Sequence, residues 1–155
     1  MKIIEYRGGI LSFRIPSHWK EEYEENGGGT FYEDSPVSGT LRLNIQTFKG
    51  STGNLQTCGY DELTRKPFSD GVEIIRLPSG DGMKKYRNQA MENGESLDLY
   101  YWEVAHITPP GKYYLAIFSW TILTEQSGVQ RFRDEIEMIT NELKQIRFHP
   151  ELGSL

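Results

Sequence analysis

Asn93-Gly94 constrains the fold of this chain more than any other feature, because it sits between two long strand-like runs. Both residues tolerate the positive φ that a two-residue type I′ turn requires, so the flanking runs are expected to pair as an antiparallel hairpin. The pattern continues in both directions. Val72–Leu77, Met83–Glu92, Glu95–Ile107 and Tyr113–Leu123 read as four strands, joined by Pro78-Ser79-Gly80-Asp81-Gly82, Asn93-Gly94 and Pro109-Pro110-Gly111. This is an antiparallel meander. Its last strand is apolar on both faces: Tyr113, Leu115, Ile117 and Leu123 on one, Tyr114, Ala116, Phe118, Trp120 and Ile122 on the other. Such a strand is expected to be covered on both sides.

The remaining segments supply candidate covers. Lys2–Tyr6 and Ile10–Ile15 read as a hairpin around Arg7-Gly8-Gly9, and Leu11, Phe13 and Ile15 mark the buried side of its second strand. Pro16 closes that strand, and Ser17 is placed to cap a helical turn over His18–Glu25. Gly27-Gly28-Gly29 forms a flexible connection to a short strand, Thr30–Glu33. Leu41–Phe48 alternates apolar and polar residues and is followed by a loop rich in Gly and Ser. Thr57–Lys66 reads as a short helix with acids at its start and bases at its end, stopped by Pro67. The clearest helix covers Gly128–Gln145. Val129, Phe132, Ile136, Ile139, Leu143 and Ile146 make one apolar stripe, and Ser127 with Gln130 reads as a capping box. Trp19, Phe13, Leu115, Ile117, Phe118, Phe132, Ile136, Ile139 and Leu143 are the expected core. The fold class is therefore α+β, a three-layer α/β/α sandwich on a mainly antiparallel sheet with a long C-terminal helix. Residues 1–155 make a single domain, with 148–155 as a tail.

Charge and cysteine content narrow the function classes. Net charge is −5, which argues against nucleic acid, because phosphate recognition needs a basic footprint. The single cysteine, Cys58, forbids an intrachain disulfide and fits a reducing compartment. The N-terminal residues lack an apolar signal segment, and no run approaches the roughly 20 apolar residues needed to span a bilayer. The expectation is a soluble cytoplasmic protein with no membrane insertion.

One local string carries a family resemblance. Phe13-Arg14-Ile15-Pro16-Ser17-His18-Trp19 gives an apolar strand followed by Ile-Pro-x-x-Trp, and Phe31-Tyr32-Glu33, sheet hairpins and a final helix ending near Ile146-Arg147-Phe148 follow in order. In these respects the chain resembles the PsbP-like superfamily, which includes Ran-binding import factors, photosystem II extrinsic proteins, DcrB-like bacterial proteins and Eag effector chaperones. The resemblance implies helices on both faces of an antiparallel sheet, a bacterial family of unassigned function, and binding rather than catalysis. It transfers no site residues.

Motifs for chemistry are sparse. His18, His106 and His149 have no partner at metal-ligand spacing, so no metal and no cofactor is expected. Gly27-Gly28-Gly29 precedes a strand, whereas a phosphate loop needs a following helix. Two features remain. Tyr100-Tyr101-Trp102 and Tyr113-Tyr114 concentrate aromatic residues of the kind that carry interface energy on neighbouring strands. Glu21, Glu22, Glu24, Glu25, Glu33 and Asp34 form an acidic segment, of which Glu24 and Glu25 are candidates to dock a basic partner. The leading expectation is a non-enzymatic binding module, chaperone or adaptor. It holds another polypeptide through Tyr100, Tyr101, Trp102, Tyr113, Tyr114, Glu24 and Glu25, or self-associates as a homodimer. The alternative is a small-molecule binder or enzyme with a pocket near the Asn26–Gly29 loop and His106 as its general base.

Overall fold

The structure, a computed structural model, describes residues 1–36, 38–49, 58–108 and 111–152. Its strands are β1 (Lys2–Tyr6), β2 (Leu11–Ile15), β3 (Lys20–Tyr23), β4 (Gly29–Tyr32), β5 (Thr40–Lys49), β6 (Glu73–Arg76), β7 (Gly82–Glu92), β8 (Glu95–Thr108), β9 (Lys112–Leu123) and β10 (Arg147–Phe148). Its α-helices are α1 (Gly59–Thr64) and α2 (Gln130–Leu143). Every strand pair is antiparallel. A seven-stranded sheet has the order β3-β4-β5-β9-β8-β7-β6, and a three-stranded sheet the order β1-β2-β10. The fold is α+β on an antiparallel sheet, as the turn chemistry requires.

The meander forms where the turns place it. Glu92 pairs with Glu95 across Asn93 and Gly94, whose φ values of 51° and 80° are those of a type I′ turn. Arg7-Gly8-Gly9 makes the tight turn between β1 and β2, and all three residues have positive φ. The Gly/Ser-rich stretch after β5, Thr57, and Pro109-Pro110 of the last turn lie outside the described residues.

One face of the large sheet carries the core. Strand alternation puts Trp102 and Val104 of β8 beside Tyr114, Ala116, Phe118, Trp120 and Ile122 of β9, all 3% exposed or less. The small sheet and α2 cover them. Phe13 of β2 sets its ring edge-on to Phe31 and Phe118, at 5.4 and 5.2 Å between centroids. Trp19 stacks on Trp120 at 5.4 Å. From α2, Phe132, Ile136, Ile139 and Leu143 turn inward. The helix carries one polar group into this core: Thr140 Oγ1 accepts the Trp102 Nε1–H at 3.0 Å and donates to the Ile136 carbonyl at 2.8 Å. The indole N–H is thereby satisfied, which a buried donor needs.

Asp98 of β8 ties the sheet to the segment before α2. Its carboxylate is 1% exposed, accepts hydrogen bonds from Ser127, Thr124 and Gln89, and lies 3.9 Å from Arg87. Burial alone would raise its pKa, but the Ser127 and Thr124 hydroxyls, the Gln89 amide and the Arg87 charge hold it below the ordinary carboxylate range. Ser127, read from sequence as a helix cap, therefore spends its hydroxyl on Asp98, and Val129 precedes α2 with no side-chain cap.

The structure departs from sequence expectation at four further places. His18–Glu25 is not a helical turn: its middle, Lys20–Tyr23, is β3, which pairs with β4 and exposes all four of its residues. Pairing with a neighbouring strand outweighs the local capping signal. Val129 is 47% exposed and lies outside the buried stripe. Phe148, expected to open a tail, instead joins Arg147 in β10, which pairs with β2. Leu115 and Ile117, expected in the core, are only half-buried.

Replacing Ile136 with Ala should cost about 2–5 kcal/mol in chemical denaturation, the range for truncating a buried aliphatic side chain. Asp98→Asn gives a second test. Because the folded pKa of Asp98 is lowered, its stabilisation is complete above the ordinary Asp value of about 3.9 and is lost as pH falls through the lower folded value. The stability gap between the parent and Asp98→Asn should therefore be widest at neutral pH and close toward acid, and a gap that widens toward acid would contradict this account.

Candidate functional site

The second face of the large sheet is where the structure leaves apolar surface. Leu97, Leu99 and Tyr101 of β8 and Leu115, Ile117 and Leu123 of β9 all point to this side, and all are half-buried. They form a strip across the two strands that is interrupted by Glu103 of β8 and by Ser119 and Thr121 of β9, which share the face. Polar residues flank it: Arg42, Asn44 and Gln46 on β5, which pair with Ser119, Ile117 and Leu115, and Asn88 on β7, which pairs with Leu99. Apolar residues within a polar rim are the usual form of an interaction surface.

Helix α1 occupies one end of this face. It approaches so closely that a Cβ on Gly59 would lie 1.8 Å from the Ala105 carbonyl oxygen. Glycine is required there because no side chain fits between helix and strand. Near α1, the Tyr86 hydroxyl donates to Glu103, and the Tyr86 ring stacks on Tyr101 at 4.9 Å. Burial, with Glu62 and Glu103 adding negative charge nearby, pushes the Tyr113 phenol up to about 12. The Tyr113 ring lies 5.3 Å from that of Phe48, which is 44% exposed. At the β3–β4 end, Glu24 and Gly27–Gly29 line a hollow of about 250 Å³ together with Arg42, Asn44, Tyr101 and Ile117.

The sequence-predicted binding residues therefore divide. Tyr101, Tyr113 and Glu24 lie on or beside the open strip. Trp102 and Tyr114 are 0% and 1% exposed and belong to the core on the opposite face, because side-chain direction alternates along a strand. Tyr100 also faces that side, packs against the core and donates to Ser127. Glu25 is exposed in the β3–β4 turn, away from the strip. Much of the acidic segment is engaged within the chain: Glu21 with Lys2, Glu22 with the Tyr32 hydroxyl, and Glu33 with Arg131. Leu97, Leu99 and Leu123 are candidate site residues that sequence reading missed, and it placed Leu115 and Ile117 in the core. The signal was present in the two-faced apolar pattern of β9, but it was read as a sign of cover.

His106 does not join the Asn26–Gly29 loop. It lies on the core-facing side of β8, where its Nδ1 meets Asp81 at 2.8 Å and its ring stacks on Phe148 at 4.8 Å. The hollow at the loop and the groove at His106 share no lining residue, so the single pocket expected from these two features is not formed. Among the described residues no cluster of three or more His, Cys, Asp or Glu side chains is arranged to hold a metal ion. Cys58 is a half-buried free thiol immediately before α1. Among the described residues no helix is long and apolar enough to cross a membrane.

No family model matches the chain. No curated protein matches it either. Among solved structures, a crystal structure of a protein from Bacteroides thetaiotaomicron VPI-5482 superposes with a TM-score of 0.59 at 19% identity, over 96% of this chain and 48% of that one. The chain thus spans about half the length of that protein. LpqN of Mycobacterium tuberculosis, involved in cell envelope biogenesis, superposes with a TM-score of 0.59 at 14% identity, over 90% of this chain and 83% of LpqN. At these identities the likeness is one of fold.

The difference between the two faces of β9 can be measured at adjacent residues. Phe118→Ala, on the core face, should cost about 3–5 kcal/mol. Ile117→Thr, on the open face, should cost roughly 1 kcal/mol or less, near the surface range. Equal costs in urea denaturation would show that the second face is covered after all.

Proposed function

We propose that this protein is a non-enzymatic binding module that holds a helical segment of another polypeptide on the open face of its seven-stranded sheet. The half-buried strip of β8 and β9 carries the reading. Two strands spaced about 4.8 Å apart make a floor roughly 10 Å wide, which matches the diameter of an α-helix. Helix α1 already sits on one end of the same face, against Ala105 and Gly82, and so illustrates the seating. An amphipathic helix would lay its apolar side on Leu99, Ile117 and Leu115, the helix-in-groove mode of recognition. Arg42, Asn44 and Glu24 along one flank would fix its orientation.

With such a segment bound, the sheet would be covered on both faces, as the three-layer α/β/α sandwich expected from sequence. The proposal keeps the kinship with the PsbP-like superfamily, where binding predominates, and a cytoplasmic location, which the lone Cys58 thiol supports. The envelope role of LpqN belongs to LpqN. Self-association through the same strip, giving a two-fold dimer, is the competing occupant.

A photo-crosslinking residue in place of Tyr101 or Leu115 tests this in cells of the source organism. The expected result is a crosslink to a different polypeptide from both positions and none from Glu137, on the outer side of α2. Crosslinks only between copies of this chain would assign the strip to a homodimer, and none above the Glu137 control would overturn the reading. Once the partner is known, Tyr101→Ala should weaken binding by about 1–2 kcal/mol with the circular-dichroism spectrum unchanged.

A further inference from the structure

Beyond the end of β6, strand β7 is an edge. β8 pairs with β7 along its whole length, from Gly82 to Glu92. On the other side β6 reaches only residues 82–85, where Glu73 pairs with Lys85. Among the described residues, 86–92 therefore have a neighbouring strand on one side alone, and residues 87–92 are all exposed. An unpaired strand edge is a ready template for another chain.

The hairpin sets which backbone groups are free. Glu92 and Glu95 flank the two-residue turn and bond each other, so bonding to β8 falls on every second residue back from Glu92. Arg87, Gln89 and Met91 are the alternate residues, and their N–H and C=O groups point outward with no strand to take them. The register with β8 runs unbroken, so no bulge twists this edge away, and the segment has no proline. Its middle, Asn88-Gln89-Ala90-Met91, has no charge to repel an approaching strand.

The charges at the two ends of the segment select what pairs with it. Lys84, Glu92 and Glu95 all lie on the open face, by alternation from Tyr86 and Leu97. Lys84 Nζ lies 5.3 Å from the centre of the Tyr86 ring, so the ammonium leans along the strand toward the free segment. Its cross-strand neighbour Glu103 accepts the Tyr86 hydroxyl. On the core face Arg87 lies 3.9 Å from Asp98 and is already engaged. The open face of the edge is thus basic before its neutral middle and acidic after it. An antiparallel strand complements this pattern when it too runs from basic to acidic, and a second copy of β7 does so by symmetry.

We propose that two copies of this chain pair β7 against β7, antiparallel about a two-fold axis near Gln89 and Ala90, so that their large sheets become one continuous sheet. The contact uses the edge and leaves the strip on β8 and β9 free, so it stands apart from the partner proposed above.

Sedimentation of the purified protein from about 10 μM to 1 mM reads the equilibrium. The expected result is a mass that rises from one copy to two. Hydrogen exchange by NMR at the two ends of that range locates the contact. The amides of Arg87, Gln89 and Met91 should gain protection on association, whereas those of Tyr86, Asn88 and Ala90, bonded to β8, are protected at both. Gln89→Pro removes an outward N–H without touching the ladder to β8, and should weaken association by about tenfold or more with the circular-dichroism spectrum unchanged. Lys84→Glu or Glu92→Lys alone sets like charges across the axis and should weaken it by about tenfold, and the two together should restore it. A single-copy mass throughout, protection without the alternation, unchanged association in Gln89→Pro, or no recovery in the double variant would each overturn the proposal. A dimer lost in Ile117→Thr but kept in Gln89→Pro would also overturn it, and would place the second copy on the strip.

Discussion

The rest of the structure depends on β9, which pairs with β8 along its whole length and with β5 from Lys112 to Thr121. Two unbroken antiparallel ladders leave it no freedom of register. A slip of one residue would carry Tyr114, Phe118 and Trp120 out of the core and put Tyr113, Ile117 and Ser119 in their place. The pairing therefore fixes which side of the sheet is packed, and with it where the small sheet and α2 must lie. Trp102 is held in the same way. It reaches α2 because β8 pairs Trp102 with Phe118 and sends both side chains inward, where Thr140 accepts the indole N–H.

The large sheet has two faces and unequal cover for them. The hairpin β1–β2, strand β10 and α2 all go to one side, and their aromatic and aliphatic side chains fill it to near-complete exclusion of solvent. On the other side the described residues offer α1, six residues long. It shields Ala105 and Ile107 and leaves the middle of β8 and β9 half-open. Half-burial matters energetically. Leu99 and Ile117 have already lost part of their hydration to neighbouring side chains, and the area that remains is what a ligand would remove from water, at about 25 cal/mol per Å².

Much of this was legible in the sequence, and the failures have physical causes. Asn93-Gly94 gave the hairpin because its turn chemistry is local, and the stripe from Phe132 to Leu143 gave α2 because helical periodicity is local too. β3 was missed because its pairing with β4 is a contact across a turn, while its own residues, Lys20-Glu21-Glu22-Tyr23, carry no alternation of apolar and polar. β10 was missed for the same reason: two residues have no period, and only their position beside β2 makes them a strand. The candidate site shows the limit most clearly. Apolar residues on both faces of β9 were visible, but whether each face is covered depends on where distant segments fold. Trp102 and Tyr114 were assigned to a surface on composition, although alternation from Tyr101 and Tyr113 already required one member of each pair to face the other way.

At its two outermost strands the large sheet favours recognition by its face over addition of another strand. β3 forms one edge, and Lys20, Glu21 and Glu22 are all exposed along it. Charged residues on an edge discourage a further chain from pairing there. β6 forms the other edge and is four residues long, with charged Glu73 and Arg76 at its ends. A short, charged edge gives an extended peptide few backbone groups to pair with, and the β-augmentation mode needs many. The open strip has the opposite character: it spans the long strands β8 and β9 and sets Leu99, Tyr101, Leu115 and Ile117 among few polar side chains. For the partner proposed above, these surfaces favour the face over the edges, so that side chains rather than backbone hydrogen bonds would decide what binds.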